Sequence, residues 1–256
     1  LSLTDVTSGV DKVKFSVDGG TTWTDWENAA TSKTLTLLLG DGTKQVRVGV
    51  QDKTGNITAT PLAGTILLDT TAPTGSVSIN AGAATTTSRS VSLTLTGSDA
   101  GMGVDQMHFS TDDGVTWSSW QAFATSATVT LADGDGTRTV KYELRDKLGN
   151  AQVFSDTIVL DRVAPTGTVQ INGGAPFTNV TGVTLTLTMS DTVSELADMQ
   201  FSTNGTTWTV WQPYSATSAL TLATGEGTKI VYVRVRDRAG NVMATPASDT
   251  IVLDTV

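Results

Sequence analysis

The sequence predicts an all-β chain of three tandem β-sandwich domains of about seven strands each, the first lacking its N-terminal strand or strands. Three observations predict it. Of the 256 residues 38% are apolar and only 16% charged, with Thr, Ser and Gly filling the remainder, which suits short strands with polar outer faces. No run rich in Ala, Glu, Lys and Leu shows a 3.6-residue period, so almost no helix is expected. The third observation is internal repetition, the signature of an array of similar units.

Three markers fix the unit. "DGGTTWTDW" (18–26), "DDGVTWSSW" (112–120) and "TNGTTWTVW" (203–211) place their first tryptophans at Trp23, Trp117 and Trp208, intervals of 94 and 91 residues. "QDKTGN", "RDKLGN" and "RDRAGN" repeat those intervals at Asp52, Asp146 and Asp237, and "TILLDT", "TIVLDR" and "TIVLDT" carry Asp69, Asp161 and Asp254. A unit of about 92 residues is the size of one immunoglobulin-like sandwich. The expected domains are 1–70, 71–162 and 163–256.

Strands follow from alternation and turn residues. In the second unit they are expected at 75–80, 90–96, 104–110, 115–120, 126–131, 137–145 and 152–160, separated by Gly/Asp-rich turns such as "DGDG". The sixth strand gives the clearest inward face: Val46, Val48 and Val50, then Val140, Tyr142 and Leu144, then Val231, Val233 and Val235. Polar residues between them mark a sheet wet on one side. Phe15, Phe109 and Phe201 are expected as core anchors of the third strand.

The frame of the first unit differs. "LSLTD" at 1–5 aligns with "LTLTGSD" from Leu93 and "LTLTMSD" from Leu185, in the middle of a second strand. The first copy is therefore expected to lack its first strand and half its second, roughly 22 residues by this alignment. A window cut from a longer array accounts for this, as does a strand donated by a neighbouring molecule.

The net charge of −9 opposes binding to nucleic acid or anionic lipid and attracts cations. With no cysteine there is neither a disulfide nor a thiolate metal site, which favours a prokaryotic surface protein over a secreted eukaryotic sandwich. No stretch approaches the roughly 20 apolar residues of a membrane span. A signal peptide pattern is not present either, so export information is expected outside this segment.

With "FSVDGGTTWTDW", "DGTKQVRVGVQDKTGN" and "TIVLD…APTG" in view, the chain resembles the tandem bacterial immunoglobulin-like, fibronectin III-like repeats of large secreted and surface-anchored proteins. The resemblance covers essentially the whole chain. It implies the sandwich fold and an extracellular or cell-surface setting. Function stays open, because such repeats serve as stalks, adhesin arms, surface-layer pieces and accessory modules of exported enzymes.

Two constellations could carry chemistry. The first is the tryptophan pairs. Residues three apart on a regular strand face opposite sides, so one member of each pair is expected in the core and the other outside, unless a bulge intervenes. The outer set, Trp26, Trp120 and Trp211, would offer stacking platforms for sugar rings, each followed by Glu27, Gln121 or Gln212. The alternative is a lid on the sheet edge.

The second constellation is acidic. The last strand of one domain ends at the pole where the next begins, so Asp69 is expected to approach Asp99 and Asp105, with Asp146 and Asn150. Asp161 would likewise approach Asp191 and Asp237, with Asn241. Clustered aspartates at a junction suit an interdomain calcium ion, which wants six to eight oxygens. The competing reading is turn chemistry, in which Asp caps its own backbone and Asn beside Gly supplies a left-handed residue.

Catalysis is not expected. The only histidine, His108, precedes inward Phe109 and so is expected to face solvent, and no carboxylate pair sits among cleft-forming insertions. Pro73 and Pro165 stiffen the connectors, which predicts a semi-rigid rod of about 40 Å per domain at a strand's rise. Asn56, Asn179 and Asn204 head glycosylation sequons, relevant only in a host with the machinery. The function expected is a non-enzymatic structural or adhesive repeat rod, a spacer or stalk of a larger surface or secreted protein whose partners are neighbouring repeats. A carbohydrate-binding array reading surface glycans, and a self-assembling filament or surface-layer subunit, are the alternatives.

Overall fold

The computed structural model describes residues 1–256 and is nearly all β. The third repeat shows the complete arrangement. One sheet has three strands in the order Thr166–Ile171, Gly182–Ser190, Thr217–Thr221. The facing sheet has five, in the order Phe177–Thr178, Ala247–Leu253, Gly227–Asp237, Leu196–Ser202, Gln212–Pro213. All pairings are antiparallel except Phe177–Thr178 on Ala247–Leu253, which is parallel. The chain thus switches sheets directly after its first strand. This is an immunoglobulin-like sandwich, and the second repeat has the same two sheets: Ser126–Thr130, Ser90–Ser98, Thr74–Ile79 against Thr85–Thr86, Ala151–Leu160, Gly136–Asp146, Val104–Ser110, Gln121–Ala122.

Local chemistry explains the sheet switch. Asn80 and Ala81 take φ of 46° and 56°, and Asn172 takes 48°. The asparagine Oδ1 accepts the backbone N–H of Ser92 or Thr184, each at 2.9 Å. This local bond makes Asn tolerable in the left-handed region. The crossing is then fixed by a carboxylate: Asp156 accepts the Ile79 N–H and Asp249 the Ile171 N–H, both at 2.8 Å.

The core lies between the sheets. Val140, Tyr142 and Leu144, and Val231, Val233 and Val235, have no exposed surface, and Phe109 and Phe201 are buried beside them. In the third repeat this layer packs against Val183, Leu185 and Leu187 of the smaller sheet. Burying each such side chain is worth about 1.5–3 kcal/mol.

The first repeat is a single four-stranded sheet in the order Glu27–Asn28, Val10–Ser16, Gly42–Asp52, Leu62–Leu68. Its smaller sheet is missing, and the segment 32–36, which aligns with Ser126–Thr130, forms no strand because it has no partner to pair with. The half-strand expected at 1–5 does not form either. Exposure records the consequence. Ile66 is 55% exposed, whereas Ile158 and Ile251 at the same position are 2% and 1% exposed. Val46 is only half-buried. The residue matching Asp156 and Asp249 is Gly64, so the carboxylate that would tether a first strand is absent too.

The expected strand at 115–120 is the main departure. That segment is irregular in all three copies, and two-residue strands at Glu27–Asn28, Gln121–Ala122 and Gln212–Pro213 do the pairing instead. Contacts divide the chain into two compact units: Leu1–Thr74 with Gly97–Gln106 and Leu144–Gln152, and the remaining residues. No helix is long and apolar enough to cross a membrane.

Candidate functional site

Two carboxylate triads lie where one repeat's last strand meets the loops of the next. Asp69, Asp99 and Asp146 form the first and Asp161, Asp191 and Asp237 the second, with one carboxylate oxygen from each residue within 4.8 Å of the others. Asp69, Asp146, Asp161 and Asp237 are buried. Asp105 does not join them; it is exposed on Val104–Ser110. A strand alternates its side chains, and Asp105, already on the strand that follows the Asp99 loop, is turned outward.

The "RDxxGN" turn builds each triad. Asp146 Oδ1 accepts the N–H groups of Leu148 (2.8 Å) and Asn150 (2.9 Å), closing the turn. Gly149 and Gly240 hold the positive φ, at 92° and 95°; Asn150 and Asn241 do not, contrary to the turn reading. The asparagines work through their amides. Asn150 Nδ2 donates to Asp146 Oδ2 (2.7 Å) and to the Asp69 carbonyl (3.1 Å). Asn241 Nδ2 repeats this with Asp237 (2.7 Å) and the Asp161 carbonyl (3.0 Å). Burial pushes the Asp146 carboxyl up, but the bonds from Asn150 and Leu148 outweigh it and hold it below the ordinary value.

The second loop supplies the middle carboxylate. Asp99 Oδ1 accepts the N–H groups of Gly101 (3.0 Å) and Gly103 (2.8 Å), and Asp191 Oδ1 those of Val193 and Ser194, both at 2.9 Å. A Cβ on Gly101 would lie 2.1 Å from Asp69 Oδ2, so the bare glycine leaves room for that carboxylate. The other oxygens are left over. Asp99 Oδ2, Asp161 Oδ2 and Asp191 Oδ2 are buried without a hydrogen-bond partner, and no other buried side-chain polar atom is in that state. An unpaired buried oxygen costs about 1–3 kcal/mol, and like charges this close add repulsion. A bound divalent cation would relieve both, and the all-oxygen donor set is what a hard cation such as calcium takes.

The tryptophans occupy a different place from that expected. None of the six enters the core; all are half-buried. The cause is the Ser or Thr that follows the first tryptophan. Phe15, Phe109 and Phe201 each donate their N–H to the hydroxyl of Thr24, Ser118 or Thr209 at 3.0 Å, while those residues return an N–H to the phenylalanine carbonyl at 2.8–2.9 Å. A side-chain oxygen replaces a backbone carbonyl in the ladder, the arm is displaced, and both tryptophans land on one face.

Between them sits a cation or an imidazole that the alternation of the strand did not predict there. Lys14 Nζ lies 4.9 Å from the Trp23 ring and 4.8 Å from Trp26. His108 stacks on Trp117 at 4.4 Å and Trp120 at 3.7 Å. Arg234 lies 4.3 Å over Trp208 and 5.8 Å from Trp211, with Arg236 4.8 Å from Trp211. His108 is therefore not solvent-facing; it is 8% exposed, roofed by the rings and bonded to Glu143. The available signal was the polar residue just before each phenylalanine. The candidate platforms Trp26, Trp120 and Trp211 thus each have a ring contact inside the protein.

The turn before each pair is closed by a side chain. Asp18 accepts from Thr22 and Ser16, Asp112 from Thr116 and Ser110, and Asn204 from Thr206 and Thr207. The Thr116 hydroxyl and N–H hold the Asp112 carboxyl down to about 2, and the same kind of bonds from Thr22 depress Asp18 further.

No protein-family model and no curated protein matches the chain. Solved structures with similar folds include the fibronectin(III)-like modules of Clostridium thermocellum CbhA, 19% identical over 70% of this chain and 94% of that one, TM-score 0.40. A tetra-tandem repeat from the extending region of a large adhesion protein is 19% identical over 96% and 67%, TM-score 0.34. The FN1–FN3 domains of chicken CNTN1 are 11% identical over 98% and 91%, TM-score 0.40. The chain's own strand order shows the fold, two complete immunoglobulin-like β-sandwiches in tandem after a single four-stranded sheet.

Proposed function

We propose that this chain is a non-enzymatic, extracellular repeat segment that spaces or presents another part of a larger surface or secreted protein, its repeats coupled at calcium-binding junctions. Domains at 1–70, 71–162 and 163–256 are part of this reading. The observation that carries it is the pair of carboxylate triads, each recruiting the terminal aspartate of one repeat into the loops of the next and each keeping buried oxygens unpaired. Asp69, Asp99 and Asp146, and Asp161, Asp191 and Asp237, would hold the ion. Asn150 and Asn241 position the carboxylates, and Asp105 takes no part. The anionic surface and the absence of cysteine fit an exported bacterial protein. In this reading the role is mechanical, each junction tying one repeat to the next.

Calcium titration of the full chain by calorimetry, paired with melting in calcium and in chelator, tests this. Two sites and a higher melting temperature in calcium are expected; no heat and no shift would overturn the junction reading. Small-angle scattering should return a monomeric particle, and concentration-dependent growth would favour the filament alternative. Polysaccharide binding is supported by one further observation, a groove of about 600 Å³ lined by Trp117, Ser118, Ser119, Thr128 and Thr130. Glycan binding lost on Trp117→Ala, a residue of that groove, with the fold intact would establish that reading.

A further inference from the structure

The three tryptophan clamps share one geometry and differ in what fills them. Two facing positions on neighbouring strands supply the filling. In the first repeat Lys14 pairs with Gly49, and a Cβ on Gly49 would press on the Lys14 chain at 3.1 Å. In the third, Gln200 pairs with Arg234; the Gln200 amide nitrogen donates to the Thr209 carbonyl at 2.9 Å and its oxygen accepts from Arg234 at 2.6 Å. Each of these clamps holds a fixed cation against two indole faces, the arrangement in which a ring quadrupole attracts positive charge.

The second repeat carries His108 and Glu143 at these positions. The imidazole Nε2 lies 2.5 Å from Glu143 Oε2, and Nδ1 lies 3.3 Å from the Ser118 carbonyl oxygen. Both neighbours are acceptors, and a neutral imidazole has a single N–H to offer. Only the imidazolium donates to both. The rings of Trp117 and Trp120 lie parallel to it, at 20° and 13°. Other charged groups on the Glu143 strand have partners of their own: Lys141 pairs with Asp113 at 3.0 Å, and Arg145 bonds Gln106 at 3.0 Å.

We propose that His108 is the protonated filler of the second clamp, so that this repeat, unlike its neighbours, holds its tryptophan segment by a charge that alkali removes. The segment has few ladder bonds to fall back on. Imidazole is also the one side chain whose ordinary charge change falls between about pH 5 and 8. The sign follows directly: the clamp is complete in acid and loosens as the pH rises and the ring loses its proton.

His108 is the only histidine, so its ring gives a single set of nuclear magnetic resonance signals in the full chain. At pH 5.5 these should report a doubly protonated ring. As pH rises to 8.5, exchange of the Ser118 amide, corrected for intrinsic base catalysis, should speed up by about two- to fivefold, the size of a cation–π contribution. The amides of Thr24 and Thr209 should show no such change. The double variant His108→Gln with Glu143→Arg, which copies Gln200 and Arg234, should abolish the pH dependence. A singly protonated ring at pH 5.5 would overturn the proposal even if that variant failed to fold. Unaltered pH dependence in a folded double variant would overturn it as well.

Discussion

Replacing Asp161 by asparagine should stabilise the chain in the absence of calcium and lose most or all of that advantage in its presence. The three carboxylates of its triad have oxygens within 4.8 Å of one another. At an effective dielectric of about 20, one like-charge pair at that distance costs roughly 3 kcal/mol, and the substitution removes two such pairs. Asp191 is half-exposed, so solvent screens part of the sum and a net gain of about 1–3 kcal/mol is reasonable. The asparagine Oδ1 can still accept the Val163 N–H, now bonded at 2.9 Å. Its Nδ2, placed where the unpaired oxygen was, can donate to a neighbouring carboxylate. In chelator the variant should therefore melt several degrees above wild type, since 1 kcal/mol moves a domain of this size by about 4–8 °C. In calcium at a hundred times its dissociation constant, wild type gains about 2.7 kcal/mol at the site, which the variant, short of one ligand, forfeits. Calorimetric melts of both proteins in both media measure all four values. A variant less stable than wild type by the same amount in both media would refute the reasoning, because the carboxylate would then be structural.

The same residue type at one repeat position gives a second prediction. Ile251→Ala should cost about 2–5 kcal/mol in the third repeat, whereas Ile66→Ala, at a site 55% exposed, should cost under about 1 kcal/mol; urea unfolding of the two variants compares them. Gly101→Ala places a methyl 2.1 Å from Asp69 Oδ2, so it should expel that carboxylate and abolish the calcium response of the first triad while leaving the second, as read by titration stoichiometry. Acid should act on the hairpin turns unequally. Asp112, held down to about 2 by Thr116, contributes stability that is complete above the ordinary carboxylate value and is lost as pH falls through about 2. Asn204 has no proton to take up. Amide exchange at Thr116 should accordingly rise in acid while Thr207 does not, and equal behaviour of the two would contradict the assignment.

Much of the fold was legible because a strand's period is two and the repeat is written three times. Val231, Val233 and Val235 could only face one side, and the spacing of Asp52, Asp146 and Asp237 fixed the unit. The triads were legible for the same reason: fixed topology brings a terminal aspartate to the next repeat's loops wherever the motif recurs. Asp105 was misplaced because nearness in sequence to Asp99 said nothing about where the loop ends and the strand begins. The tryptophan clamps were hidden by a bond that sequence periodicity does not count. Once the Thr24, Ser118 or Thr209 hydroxyl enters the ladder, the three-residue spacing no longer sends the rings to opposite faces.

By itself, the sequence determined the class of fold, the repeat and its inward faces, since these rest on local alternation and on residues that only particular turns accept. Tertiary structure alone decided what fills each aromatic clamp, which carboxylate oxygens go unpaired and how much of Ile66 meets water. Those are properties of contacts between segments distant in sequence, and the free energy of such a contact depends on its partner and its burial as much as on the residue itself.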